Sequence, residues 1–118
     1  MSKILVADDA SFMRLMIRQI LVRRGYNDIF EAENGQIAVD LYKLHKPDLT
    51  LLDITMPELD GLAALDEILT FEPSARVVMC SAVAQESMVR KALSRGALDF
   101  VVKPFRPDEL LHIVTKYL

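Results

Sequence analysis

The chain has 118 residues, 52% of them hydrophobic, and a formal charge of −3. This is the size of one domain with a core of its own; the hydrophobic share excludes a disordered chain, and the acidic balance argues against nucleic-acid binding. The single cysteine, Cys80, excludes an internal disulfide and fits a reducing cytosol, while the start, MSKILVADD, lacks a signal-peptide pattern and no run nears the ~20 apolar residues of a membrane span.

Two periods alternate along the chain. Ile4 to Ala7 is a continuous apolar run that ends at Asp8-Asp9. Ser11 is placed to cap the helix that follows. From Phe12 to Arg24, the apolar residues Phe12, Leu15, Met16, Ile20, Leu21 and Val22 recur at helical spacing. Arg14, Arg18, Arg23 and Arg24 form the other, solvated face, and Gly25 stands in the usual C-terminal position. Ile29 to Glu33 alternates and reads as an edge strand, broken by Asn34-Gly35. Ile37, Ala38, Leu41 and Leu44 pattern a second helix that stops before Pro47. Leu49 to Leu52 is a second continuous apolar run, ending at Asp53 and followed by the irregular loop TMPELDG. Leu62, Leu65, Ile68 and Leu69 mark a third helix that ends before Pro73. Val77 to Cys80 is the next strand, ending at Ser81; Met88, Val89, Ala92 and Leu93 pattern a fourth helix closed by Gly96. Phe100 to Val102 is the last strand, before Lys103-Pro104. Pro107 opens a final helix with the stripe Leu110, Leu111, Val114 and Tyr117.

Strand followed by helix, five times over, predicts a parallel sheet with right-handed crossovers. Continuous apolar strands need both faces covered. The expected architecture is a single doubly wound (βα)5 flavodoxin-like α/β domain over residues 1–118, its parallel five-stranded sheet in the order 2-1-3-4-5. That order reverses between the first and third strands, the two that end in aspartates. Ligands bind beyond the carboxyl ends of strands at such a reversal. Asp8, Asp9, Asp53, the Ser81 hydroxyl and the Lys103 ammonium are therefore expected in one crevice. The set suits one divalent cation and one phosphoryl group. Oxygen ligands favour Mg²⁺ or Mn²⁺, and no Cys/His cluster offers a zinc site.

Each residue also has a plainer account. Asp8-Asp9 ends a strand and caps a helix, Ser81 forms a turn, and Lys103 balances buried carboxylates. Their coincidence at the reversal point favours a functional site. His45 and His112 read as surface residues, Cys80 as a buried strand residue, and the six methionines mainly as core. Pro104 allows a cis bond that spacing alone does not decide.

The segments DD at Asp8-Asp9, DITMPELDG from Asp53, CSA around Ser81 and FVVKPF around Lys103 resemble, in this order, bacterial response-regulator receiver domains. The resemblance covers essentially the whole chain and leans to the stand-alone chemotaxis form of that family. It implies that Asp53 accepts a phosphoryl group from a histidine kinase. It implies Mg²⁺ held by Asp9, Asp53 and the Thr55 backbone carbonyl, with Asp8 acting through water. Lys103 and the metal would neutralise the equatorial oxygens of the transition state. Ser81 and Phe100 would carry the switch: the hydroxyl moves to the phosphoryl group and the aromatic turns inward. That would remodel the surface of the fourth helix, fifth strand and fifth helix, where a flagellar motor switch protein or another output partner docks. An ordinary core position is the plainer account of Phe100. Thr55 and Val83, neither amide nor carboxylate, imply slow loss of the phosphate and a separate phosphatase. The protein would be cytoplasmic, bind neither nucleic acid nor membrane, and catalyse only its own phosphorylation and dephosphorylation.

Three other readings stand beside this one. The chain could be the receiver part of a larger regulator with a transcriptional output domain. A Mg²⁺-dependent phosphohydrolase of the haloacid-dehalogenase type wants a second acid two residues after the nucleophile, where Thr55 stands. A flavin carrier would find its phosphate repelled by the acidic crevice. Nucleotide triphosphatase chemistry is excluded by the lack of a GxxxxGK loop.

Overall fold

The computed structural model describes residues 2–118. The elements run β1 (Lys3–Ala7), α1 (Ser11–Arg23), β2 (Asp28–Ala32), α2 (Gly35–His45), β3 (Leu49–Asp53), α3 (Gly61–Phe71), β4 (Val77–Ala82), α4 (Glu86–Arg95), β5 (Asp99–Lys103) and α5 (Pro107–Tyr117). All strand pairs are parallel, and the sheet order is β2-β1-β3-β4-β5. This is the doubly wound arrangement that the alternating periods imply.

Strand side chains alternate between two apolar layers. Leu5, Ala7, Leu52, Val77 and Met79 pack against α2, α3 and α4. Ile4, Val6, Leu49, Leu51, Val78, Cys80 and Val101 pack against α1 and α5. Two continuous layers explain why the middles of β1, β3 and β4 are largely apolar. Thr50 of β3 is fully buried, and among the described residues its hydroxyl has no hydrogen-bond partner.

The helix signals in the loops mostly act as their chemistry suggests. The Asn34 side chain accepts from the Ile37 N–H, and Asp60 accepts from the Ala63 N–H. Gly25 and Gly96 take the left-handed conformation beyond α1 and at the end of α4. Ser11 departs from expectation. The β1–α1 turn is so short that Ala10 occupies the cap and Ser11 already lies within the helix. Asp8 bonds the Ala10 N–H instead, at 2.9 Å.

The helical stripes also need correction. Ile17, Ile20 and Leu21 are the buried side of α1, while Phe12, Leu15 and Val22 are exposed. A helix lying on a sheet covers one stripe only, and α1 carries two. Leu44 of α2 is exposed for the same reason. Arg14 and Arg18 are not a purely solvated face. Their guanidiniums reach Glu31 on β2 at 3.1 and 2.6 Å, and Arg14 also donates to the Asp8 carbonyl. Burial works to raise the Glu31 pKa, but the hydrogen bonds and charges of Arg18 and Arg14 outweigh it and hold the carboxyl below its ordinary value.

Candidate functional site

Alternation carries three charges to one side of the sheet. Asp8 continues Ile4 and Val6, Asp53 continues Leu49 and Leu51, and Lys103 continues Val101, all on the layer facing α1 and α5. Ala7 pairs with Leu52 across β1 and β3, so the two aspartates leave adjacent strand ends. Asp8, Asp9 and Asp53 each offer a carboxylate oxygen within 4.8 Å of the others. Asp8 and Asp53 are buried and Asp9 is exposed.

Lys103 bridges the two buried acids. Its Nζ lies 2.5 Å from Asp8 Oδ2 and 3.3 Å from Asp53 Oδ2. Asp8 is thus its nearer partner. Burial raises the Asp53 pKa; the Lys103 charge works against it, and Asp8 and Asp9 add to the rise. For Lys103, burial favours the neutral amine, but the bond to Asp8 and the charge of Asp53 prevail and the pKa is raised. Three carboxylates face one ammonium, so negative charge is in excess. A cluster of hard oxygen donors with an exposed member, open to water, fits Mg²⁺ or Mn²⁺. The Lys103-Pro104 bond is cis.

The β3–α3 loop supplies the rest of the wall. It folds back so that the Gly61 N–H donates to the Ile54 carbonyl at 2.7 Å. The return is so close that a Cβ at Gly61 would sit 2.1 Å from the Asp53 carbonyl oxygen. A Cβ at Gly35 would meet the Leu59 carbonyl at 1.8 Å. Met56 is buried and Thr55 is exposed at the mouth.

Ser81, Phe100 and Val102 lie on the α4 side, where with Val83, Val89 and Leu93 they line a groove of about 360 Å³. Ser81 is buried at the groove's inner end. Phe100 is 39% exposed, so it is not an ordinary core aromatic. Val83 is 70% exposed at the rim. Cys80 is fully enclosed, and burial pushes its thiol up to about 12, which leaves it inert. His45 stacks on Phe30 with ring centroids 4.0 Å apart, and His112 is exposed.

Two residues at the site escape a reading by periodicity. Arg14 ties α1 to the Asp8 carbonyl and to Glu31; its signal is the i, i+4 pair with Arg18 opposite an edge strand. Gln85 spans two loops, donating to the Thr55 hydroxyl and accepting from the Ala82 N–H. Its signal is negative, an amide where a helix cap belongs.

Comparison with known proteins agrees with this geometry. Residues 4–115 match the family described as the response regulator receiver domain. The chain is 53% identical over 116 residues to the chemotaxis protein CheY of Bacillus subtilis, covering 98% of this chain and 97% of that one. It superposes with a TM-score of 0.92 and 38% identity on a chain of the CheX–CheY–BeF3–Mg²⁺ complex from Borrelia burgdorferi, covering 98% and 87% of the two chains. The receiver domain of NtrX from Brucella abortus gives a TM-score of 0.93 at 36% identity, with 98% of each chain covered. With its five-stranded fold and its acidic strand ends, the chain belongs to the response regulator receiver domains, signalling modules activated by phosphorylation.

Proposed function

We propose that residues 1–118 form one receiver domain in which Asp53 accepts a phosphoryl group from the phosphohistidine of a histidine kinase. The observation that carries this reading is the convergence of Asp8, Asp9 and Asp53 with Lys103 held between two of them. An Asp53 carboxylate oxygen attacks phosphorus in line with the departing imidazole nitrogen. A phosphorus–oxygen bond forms, the phosphorus–nitrogen bond breaks, and the imidazole keeps the electron pair and takes a proton. Mg²⁺, held by Asp9, Asp53 and the Thr55 carbonyl, with Asp8 acting through water, would supply charge neutralisation on the phosphoryl oxygens. Lys103 is placed to swing its ammonium from the free carboxylate to a phosphoryl oxygen, since three donors on one nitrogen serve both. The enclosing loop fixes where the carboxylate stands. The chain supplies position and charge rather than proton transfer.

The output begins at Ser81 and Phe100, on the layer opposite the charges. The Ser81 hydroxyl moves to the phosphoryl group and empties the inner end of the groove. Phe100, now half outside, turns inward and alters the surface of α4, β5 and α5. The near end-to-end likeness to CheY supports a chemotaxis partner such as the flagellar motor switch. A second reading, a receiver within a larger transcriptional regulator, is favoured by 38% identity over 109 residues to the transcriptional regulatory protein PdtaR of Mycobacterium tuberculosis, of which the match covers 53%. Thr55 and Val83 offer no carboxylate to orient water, which supports a long-lived phosphate removed by a separate phosphatase.

Incubation with acetyl phosphate and Mg²⁺, followed by intact mass, tests the chemistry. The expected gain is one phosphoryl group, absent in Asp53→Asn and blocked by a chelator. Uptake unchanged in Asp53→Asn would overturn the assignment. Capture of a flagellar switch peptide by the beryllofluoride-activated protein separates the two outputs.

A further inference from the structure

Helix α4 begins without a side-chain cap, although Ser, Thr, Asp and Asn are strongly preferred there. Gln85 holds that position, and its amide turns away from its own helix. Its Oε1 accepts from the Ala82 N–H at 2.7 Å, and its Nε2 donates to the Thr55 hydroxyl oxygen at 2.6 Å. One side chain thus ties the start of α4 to the β3–α3 loop.

The bonded N–H has a particular direction. The Ile54 N–H donates to the Cys80 carbonyl at 3.1 Å, so Cys80 turns its peptide groups towards β3. Alternate residues of a strand face the same neighbour. Ala82 therefore aims its N–H to the β3 side as well, beyond the last paired residues, Asp53 and Cys80. A strand-end donor with no strand opposite it is a natural partner for an anion. At present the Gln85 carbonyl oxygen holds it.

We propose that Gln85 is a latch across the mouth of the site, opposing phosphoryl entry until the incoming group takes the Ala82 N–H from it. The proposal rests on Asp53 being the phosphoacceptor. When a phosphoryl oxygen accepts from Ala82, the Gln85 amide passes to water and the Thr55 hydroxyl loses its donor. The residue that lets go is the one from which α4 starts. Filling the site therefore frees the head of that helix by a route separate from Ser81 and Phe100.

Beryllofluoride titration in excess Mg²⁺, read by calorimetry and by the Ala82 amide resonance, tests the latch. Gln85→Met keeps the volume and removes both hydrogen bonds. It is expected to bind beryllofluoride about two- to tenfold more tightly, because the two exposed Gln85 hydrogen bonds, each of small net worth against water, are no longer given up. Its affinity for Mg²⁺ alone is expected to match the wild type. Gln85→Glu keeps an acceptor on Ala82 and adds a negative charge, so it is expected to bind more weakly than the wild type. Damage to folding would move both variants the same way. Binding by Gln85→Met equal to or weaker than wild type overturns the latch and leaves the phosphoacceptor reading standing. A wild type that takes no beryllofluoride overturns both.

Discussion

Replacing Gly61 by alanine sets two effects of opposite sign against each other. Gly61 opens α3, and helix propensity alone favours Ala over Gly by about 1 kcal/mol in a helix interior. Its φ is not left-handed, so the new residue meets no backbone strain of its own. The space is the obstacle. The added Cβ would stand 2.1 Å from the Asp53 carbonyl oxygen and 2.7 Å from the Ile54 Cα. The first distance is more than an ångström inside ordinary contact, and neither neighbour is a flexible side-chain tip. Overpacking costs about 1–3 kcal/mol where side chains can adjust; with backbone on the other side, the upper end applies and exceeds the propensity gain. Thermal melts should show Gly61→Ala about 8–12 °C below the wild type. The strain falls on the peptide that carries Asp53, the proposed phosphoacceptor, and a shift of about 1 Å there is enough to cost ~100-fold in rate. Acetyl phosphate uptake should therefore collapse beyond what the stability loss accounts for. A variant as stable as the wild type, with normal uptake, would refute the steric account of the loop.

Thr50→Val exchanges a buried hydroxyl without a partner for a methyl group, and is expected to raise unfolding stability by about 1 kcal/mol in urea melts; a loss would mean that the hydroxyl is bonded. Burial first, and then Asp8 and Asp9, raise the Asp53 pKa against the pull of Lys103. The native state thus holds that proton more tightly than the unfolded chain, and stability falls as pH rises from about 4 through the raised value. Asp53→Asn should therefore gain on the wild type across that range in chelator-treated buffer; parallel pH profiles would contradict the sign. Mg²⁺ at about 100 times its dissociation constant is expected to add about 2.7 kcal/mol, reversed by chelator and largely lost in Asp9→Asn; melts indifferent to Mg²⁺ would remove the cation from the site.

Much of the fold is legible in the residues because buried strands and helices write different periods. The element order and the ends of β1, β3 and β4 follow from apolar runs that stop at charged or hydroxyl residues. Less legible is which of two apolar stripes a helix buries. In α1, Phe12, Leu15 and Val22 are spaced as regularly as Ile17, Ile20 and Leu21. Periodicity describes a helix alone, and burial is decided by the sheet beneath it. The Ser11 cap fails for a related reason, since the length of the β1–α1 turn is set by where β1 ends. Gln85 depends on two loops meeting across the chain, and Arg14 on α1 lying over the edge strand β2; no local pattern encodes such meetings.

The side on which each charge stands was already implicit in strand alternation. Counting by twos from Ile4, Leu49 and Val101 reaches Asp8, Asp53 and Lys103 on one layer, and counting by twos from Val77 and Phe100 reaches Ser81 and Val102 on the other. The sheet therefore sets the charged cluster and the groove of Ser81, Phe100 and Val102 on opposite layers. Mutual attraction does not assemble the acids, for they repel. Parallel pairing of β1 with β3 places them side by side, and apolar layers on both faces keep the strands from parting. Lys103 relieves only part of the excess, because one ammonium is shared between two carboxylates at 2.5 and 3.3 Å. A phosphoryl group on Asp53 would compete with Asp8 for that ammonium. The repulsion among the three acids thus couples them: a change in charge at Asp53 alters the balance that Lys103 holds with Asp8.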